Sequence, residues 1–190
     1  MPLNDPVDPV TVVVTFLRMD QPPKQTAPPL PLEYSVRQVS DCSIALYRQL
    51  YQDVGGAYLW WLRRILADRQ LQMLLDDPRV SIHVLYDVDG NAAGFYELDR
   101  SPWPSVNLAY FGLLPHSVGR GLGLAFLRDA VDRAWREGAR AMTVNTCTAD
   151  HPRARPTYLR AGFHPVREIR EEWNIPRRLG MIIPEALRHR

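Results

Sequence analysis

The sequence predicts an α/β fold of the α+β type: a mixed, mostly antiparallel twisted sheet flanked by helices. Three observations carry that expectation. Runs rich in β-branched and aromatic residues alternate with helix-period runs in the order β, β, helices, β, β, β, α, β, α, β. Two of the strands flank "DVDGNA", where Asp-Gly favours a hairpin. Finally, "FGLLPHSVGRGLGLAFLRDAVDRAWREG", Phe111 to Gly138, joins an apolar strand to a long helix through three alternate glycines. The 190 residues suit one domain with a sizeable core.

Taken in order, the elements begin with "VTVVVTFLRM", a β-like run in a region holding eight of the 17 prolines. "DQPPKQTAPPLP" cannot be helical and reads as an extended connector, on the surface or mobile. Residues 1–32 are therefore set apart as a strand plus connector, 33–176 as the main domain and 177–190 as a basic tail. "EYSVRQVS" is a short second strand. Ser40 or Asp41 caps a helix through "CSIALYRQLYQDV", which Gly55-Gly56 breaks. "AYLWWLRRILA" and "RQLQMLLDD" are expected to be helical, the latter stopped by Pro78. The hairpin strands follow, then "VNLAYFGLLP", ended by Pro115. The helix from about Gly121 to Glu137 sets Leu124, Leu127, Val131 and Ala134 in register and stops at Gly138. "RAMTVNTCT" is a strand, "RARPTYLRAG" a short helix and "FHPVREIREEWNI" the last strand.

Composition excludes several classes. A net charge of +2, with arginines scattered among acids as in "RDAVDRAWREGAR", does not describe a nucleic-acid surface. No apolar run approaches the roughly 20 residues of a membrane span. "MPLNDPVDP" lacks the basic and apolar regions of a signal peptide. Cys42 and Cys147 form neither a metal-ligand nor a redox pattern, so no metal is expected. A soluble, cytoplasmic protein is the expectation.

Gly119, Gly121 and Gly123 stand where strand gives way to helix. Free N–H groups of a helix's first turn carry partial positive charge, and without Cβ atoms they admit an anion closely. Arg120 adds a formal charge. The same glycines would also serve a tight turn or close helix–sheet packing. A P-loop is excluded because Leu124, not Lys, follows Gly123, and Leu124 also breaks the dinucleotide fingerprint.

"VGRGLG", residues 118–123, and "YLRAGF", residues 158–163, together resemble the GNAT superfamily of acyl-CoA-dependent N-acyltransferases. The first matches Arg/Gln-x-x-Gly-x-Gly/Ala at Gly121 and Gly123, with Val118 in place of Arg or Gln. The second matches Tyr-x-x-x-Gly-Phe. The resemblance covers roughly residues 34–170. It implies that acetyl-CoA is the co-substrate, its pyrophosphate on the turn Val118, Gly119, Arg120, Gly121, Leu122 and Gly123. It implies further that the pantetheine arm lies along Phe111, Gly112, Leu113 and Leu114 like an added strand, with Gly112 leaving room.

The resemblance also assigns chemistry. Tyr158 stands where the family places its general acid, and a phenol is protonated at neutral pH. Glu97, in "GFYELDR", is expected as the general base, against the alternative of a solvent-facing ion pair; Asp99 and His151 are other candidates. Asn145, at a strand end, is a candidate to orient cofactor or substrate. Arg153 or Arg155 is expected at a carrier phosphate. No group is placed to activate Cys147, which reads as a buried thiol. The acceptor is expected to be a primary amine of a small molecule or peptide. Adjacent Trp60 and Trp61 cannot point the same way on a helix: one is core, and the other lines a pocket, supports the loop at Gly55-Gly56 or is core as well; Trp103 is a candidate rim residue. The alternative to an enzyme is a CoA-binding sensor or interaction module that performs no transfer.

Overall fold

A computed structural model describes residues 5–188; the first four residues of the segment 1–32 and the last two of the tail 177–190 lie outside the described residues. Seven strands form one sheet: β1 (Val7–Met19), β2 (Tyr34–Val39), β3 (Val80–Asp87), β4 (Ala92–Asp99), β5 (Ser105–Leu113), β6 (Ala141–Cys147) and β7 (His164–Pro176). Their spatial order is β2-β3-β4-β5-β6-β1-β7. All neighbours run antiparallel except β5 and β6. Helices α1 (Ile44–Gly55) and α2 (Asp68–Leu75) cover one face, and α3 (Leu122–Arg136) and α4 (Ala154–Ala161) the other.

Strand β1 sits inside the sheet between β6 and β7, with Val14 opposite both Cys147 and Ile169. Period-2 alternation sends Val10, Val12 and Val14 to a cluster with Leu59, Ile175 and Ile183, and Leu17 and Met19 to the core under α3. Each fully buried aliphatic side chain contributes about 1.5–3 kcal/mol, so the segment 1–32 supplies part of the core. The connector lies on the surface but is tied down: Arg128, itself buried, donates to the Gln25 carbonyl (2.7 Å), and Leu30 packs on the α3 core. The tail is likewise held. Ile183 is buried, and Arg177 and Arg178 pair with Asp8 and Asp5.

Local chemistry accounts for the helix ends. Ser43, not Ser40 or Asp41, caps α1, its hydroxyl accepting the Leu46 N–H at 3.2 Å. Gly162, at φ +112°, ends α4 in the left-handed region that only glycine enters cheaply. On α3, Leu122, Phe126, Leu127, Ala130, Val131 and Ala134 are buried at helical spacing, while Leu124 turns to a cavity. The stretch "AYLWWLRRILA" is not a helix. After a 3-10 turn at Gly56–Tyr58 the chain reverses at Leu59, which takes φ +56°. Burial of Leu59 among Val10, Val12 and Val14 offsets that backbone cost.

Candidate active site

The parallel pairing of β5 and β6 covers only Ser105 to Asn107 against Ala141 to Thr143. Beyond it the strands separate. The cause is visible in the register on the other side of β5, where Glu97 opposes Tyr110 but Leu98 opposes Leu108, leaving Ala109 as an extra residue. Such a bulge bends and twists its strand. Here it carries Tyr110–Leu113 away from β6, so that length of β5 has a partner on β4 only. A cavity of about 920 Å³ occupies the split. It passes between the two faces of the sheet, since Phe111, Leu122 and Tyr158 of the α3–α4 face and Tyr51, Trp60 and Trp61 of the opposite face all line it.

One end of the cavity is the glycine turn. Gly121 is the N-cap of α3 at φ +78°, and Gly119 has φ +85°. A Cβ added at Gly119, Gly121 or Gly123 meets no atom within 4 Å. The backbone there is bare, at the start of a 15-residue helix whose first-turn N–H groups have no intrahelical partner. That surface suits a diphosphate. Val118, Gly119, Gly121, Leu122 and Gly123 line the cavity; the side chain of Arg120 does not reach it. Of the two arginines on the α4 approach, Arg153 lines the cavity, whereas Arg155 pairs with Glu168 at 3.4 Å.

Phe111, Gly112 and Leu113 line the cavity, while Leu114 packs on the α1 side instead. Gly112 also has a packing reason to be glycine: a Cβ there would strike Val54 Cγ1 of α1, so its smallness serves helix–sheet packing.

Tyr158 lines the cavity, edge-on to Phe111 with centroids 6.2 Å apart. Burial first, and then the Asp150 charge, push its phenol well above the usual tyrosine range, so it stays a proton donor. Asn145 and Cys147 project from β6 into the same space. Burial and Asp150 push the Cys147 thiol up to about 12, which keeps it protonated and poorly nucleophilic. His151 also lines the cavity. Its Nδ1 accepts the Arg153 N–H at 3.1 Å, so the neutral ring carries its proton on Nε2 and presents a donor there.

Glu97 does not face the cavity. It is fully buried under α1, where one carboxylate oxygen accepts from Tyr47 Oη (2.6 Å) and the other from Arg63 Nη2 (2.8 Å). Arg63 also lies over the Tyr110 ring at 5.2 Å. Glu97 is thus in an ion pair, but a buried one, and it steers the β4–α1 contact. Asp99 lies away from the cavity and caps the Ser101 N–H.

Trp60 and Trp61 part as their adjacency requires, though from a turn rather than a helix. Trp60 packs with Tyr51, Phe95 and Tyr110, its indole donating to Asp150 Oδ1 at 3.4 Å. Trp61 joins Phe16 and Trp173 in the cluster over β1. Trp103, 51% exposed, contributes nothing to the cavity wall. Sequence reading missed Asp150, which accepts from Thr146 Oγ1 (2.7 Å) and the Cys147 N–H (2.8 Å), and missed Phe16, Glu171 and Trp173. The period-2 pattern of β1 and β7 was the available signal, but it names no register. Among the described residues no group of His, Cys, Asp and Glu could hold a metal, and no helix is long and apolar enough to cross a membrane.

Comparison with known proteins agrees with this geometry. The model of the acetyltransferase (GNAT) family matches residues 45–163. Mycothiol acetyltransferase of Nocardia farcinica is 25% identical over 133 residues, which are 64% of this chain and 39% of that protein. A GCN5-related N-acetyltransferase from Sphaerobacter thermophilus superposes with a TM-score of 0.57 at 21% identity, over 90% of this chain and 54% of its own. An acetyltransferase of Bacillus subtilis, solved in complex with CoA, gives 0.53 at 17% identity, over 69% and 76%. At these identities the two structures speak to the fold alone, and the chain spans about two fifths of the curated relative and about half of the Sphaerobacter chain. The family model covers well over half of the chain, and the chain accordingly belongs to the GNAT acetyltransferase family, whose common chemistry is acyl transfer from acyl-CoA.

Proposed function

We propose that the protein is a cytoplasmic N-acetyltransferase that moves an acetyl group from acetyl-CoA to a primary amine of a small molecule or peptide, by direct attack in a ternary complex. The observation that carries this reading is the cavity in the β5–β6 split, lined by both the bare glycine turn and Tyr158. Acetyl-CoA would supply the thioester carbonyl. The N–H groups at the start of α3 would hold its diphosphate, Arg153 a further phosphate, and the unpaired side of Tyr110–Leu113 its amide arm.

The acceptor ammonium gives a proton to water. As its nitrogen bonds to the carbonyl carbon, a backbone N–H of the same β5 segment stabilises the developing oxyanion. The C–S bond then breaks and the Tyr158 hydroxyl donates its proton to the sulfur; the proton shed by the nitrogen restores the phenol. Cys147, held as a thiol, has no part in this, which favours direct transfer over a covalent enzyme intermediate. Glu97 is a positioning residue: it fixes Arg63 and Tyr47 behind the acceptor wall and touches neither reactant.

The test follows thiol release from acetyl-CoA with a panel of amines, beside calorimetric titration with CoA. Binding with amine-dependent thiol release is expected. Tyr158→Phe should lower kcat by about 10²–10⁴ with CoA affinity unchanged; equal losses in both would remove the acid role. CoA binding without turnover of any amine would favour a sensor or interaction module, and no binding by folded protein would end the reading.

A further inference from the structure

The cavity is chemically divided, and the division describes the acceptor. On the donor side its arginines are Arg153, the N-cap of α4, and Arg160 in the last turn of that helix. On the opposite face the wall includes Phe16, Tyr58, Trp61 and Trp173, with Glu171 and Asp150 as its carboxylates and His151 edge-on to Tyr58 at 6.0 Å; apart from Arg153 and Arg160, no lysine or arginine among the described residues lines the cavity. Arg167 lies over one face of the Phe16 ring at 4.3 Å and does not line the cavity.

Register explains the convergence. Val10 opposes Trp173, Val12 opposes Glu171 and Phe16 opposes Asn145, so these side chains share one face of the sheet. The reversed chain at Leu59 closes over that face and brings Tyr58 and Trp61 down on it. Among the described residues neither carboxylate is paired with a cationic side chain: Glu171 accepts the Trp173 indole N–H (2.8 Å), and Asp150 takes neutral donors from Thr146, Cys147 and Trp60. Burial first, and then the Asp150 charge, raise the phenols of Tyr58 and Tyr158 and the Cys147 thiol.

We infer that the acceptor is a protonated primary amine on a short link to an apolar, flat ring, the ring lying among Trp61, Trp173 and Phe16 and the ammonium held between Glu171 and Asp150. Aromatic faces attract both parts: they bury the ring by area and stabilise the cation through their quadrupoles. A polyhydroxylated or polycationic amine would leave polar groups facing indole and phenyl surface. This inference rests on the acetyltransferase reading above, and the measurements separate the two.

Steady-state acetylation of 2-phenylethylamine and tryptamine is compared with that of spermidine, glucosamine and glycine, with CoA affinity measured independently by calorimetry. The aromatic amines should exceed the others at least a hundredfold in kcat/KM. Glu171→Gln should raise KM for 2-phenylethylamine about tenfold with CoA affinity unchanged, and Trp173→Leu should weaken it similarly. If the folded protein binds CoA but prefers spermidine or glucosamine, or if Glu171→Gln leaves KM unmoved, the inference fails while the family reading stands. Faster turnover of hexanoyl-CoA than acetyl-CoA would assign the aromatic chamber to the acyl chain and overturn it equally. Absence of CoA binding would take down both.

Discussion

Replacing Gly121 by alanine separates two reasons for a glycine. Its φ of +78° places any residue with a Cβ in the left-handed region, at about 1–2 kcal/mol. Nothing in the protein obstructs the added methyl, which has no neighbour within 4 Å, so that backbone cost is the whole effect on the fold. Gly90 in the β3–β4 turn offers a matched control, with φ +81° and equally open space, away from the cavity. Both Gly121→Ala and Gly90→Ala should therefore lower Tm by about 2–4 °C for each kcal/mol lost in a chain of this size. Only Gly121→Ala places a methyl over the α3 N-terminus. Displacing a phosphate from one N–H there forfeits about 1.5–3 kcal/mol, roughly a tenfold to hundredfold loss of affinity. Thermal denaturation gives the first quantity and calorimetric CoA titration the second. Undiminished CoA affinity in Gly121→Ala, or the same loss in Gly90→Ala, would refute the phosphate cradle.

Three further outcomes follow from the packing. Gly112→Ala drives a methyl into Val54 and should cost about 1–3 kcal/mol by overpacking, most of it recovered in Gly112→Ala with Val54→Ala; urea midpoints of the single and double variants check this. Arg63→Met strands the Glu97 carboxylate in the core and should cost about 3–5 kcal/mol, whereas pairing it with Glu97→Leu should restore much of the stability. His83 is fully buried, and burial, then Arg133 and Arg100, hold its imidazole down at about 3. The unfolded chain binds that proton near pH 6.5 and the native chain does not, so stability present above pH 6.5 falls as the pH drops toward 3. The contribution is about 1.4 kcal/mol per pH unit, and His83→Gln should flatten that part of the urea-midpoint profile between pH 6.5 and 4.

Tyr158 and the glycine turn were legible in the sequence because each depends on a short local pattern: a strand, a bare turn, a helix and a tyrosine before a left-handed glycine. Element order was legible for the same reason. Three particulars were not. "AYLWWLRRILA" has helical composition, yet Leu59 is drawn into the β1 cluster and the chain turns there, a case of tertiary burial overriding propensity. Glu97 alternates along β4 as a site residue would, but which face meets α1 and which meets the cavity depends on neighbours far along the chain. Glu171 and Trp173 belong to a strand that is largely exposed, and only its pairing with β1 puts them beside Phe16.

The sequence by itself determined the strands, the helix that follows the glycines and the bare turn before it, since these follow from backbone preferences within a few residues. Tertiary structure alone decided that β1 would lie between β6 and β7, that β5 would bend off at Ala109, and that the resulting split would be aromatic and acidic on one side and basic on the other. Strand order and register are set by which faces can be buried together, and for β1 and its two neighbours that is a property of segments more than a hundred residues apart.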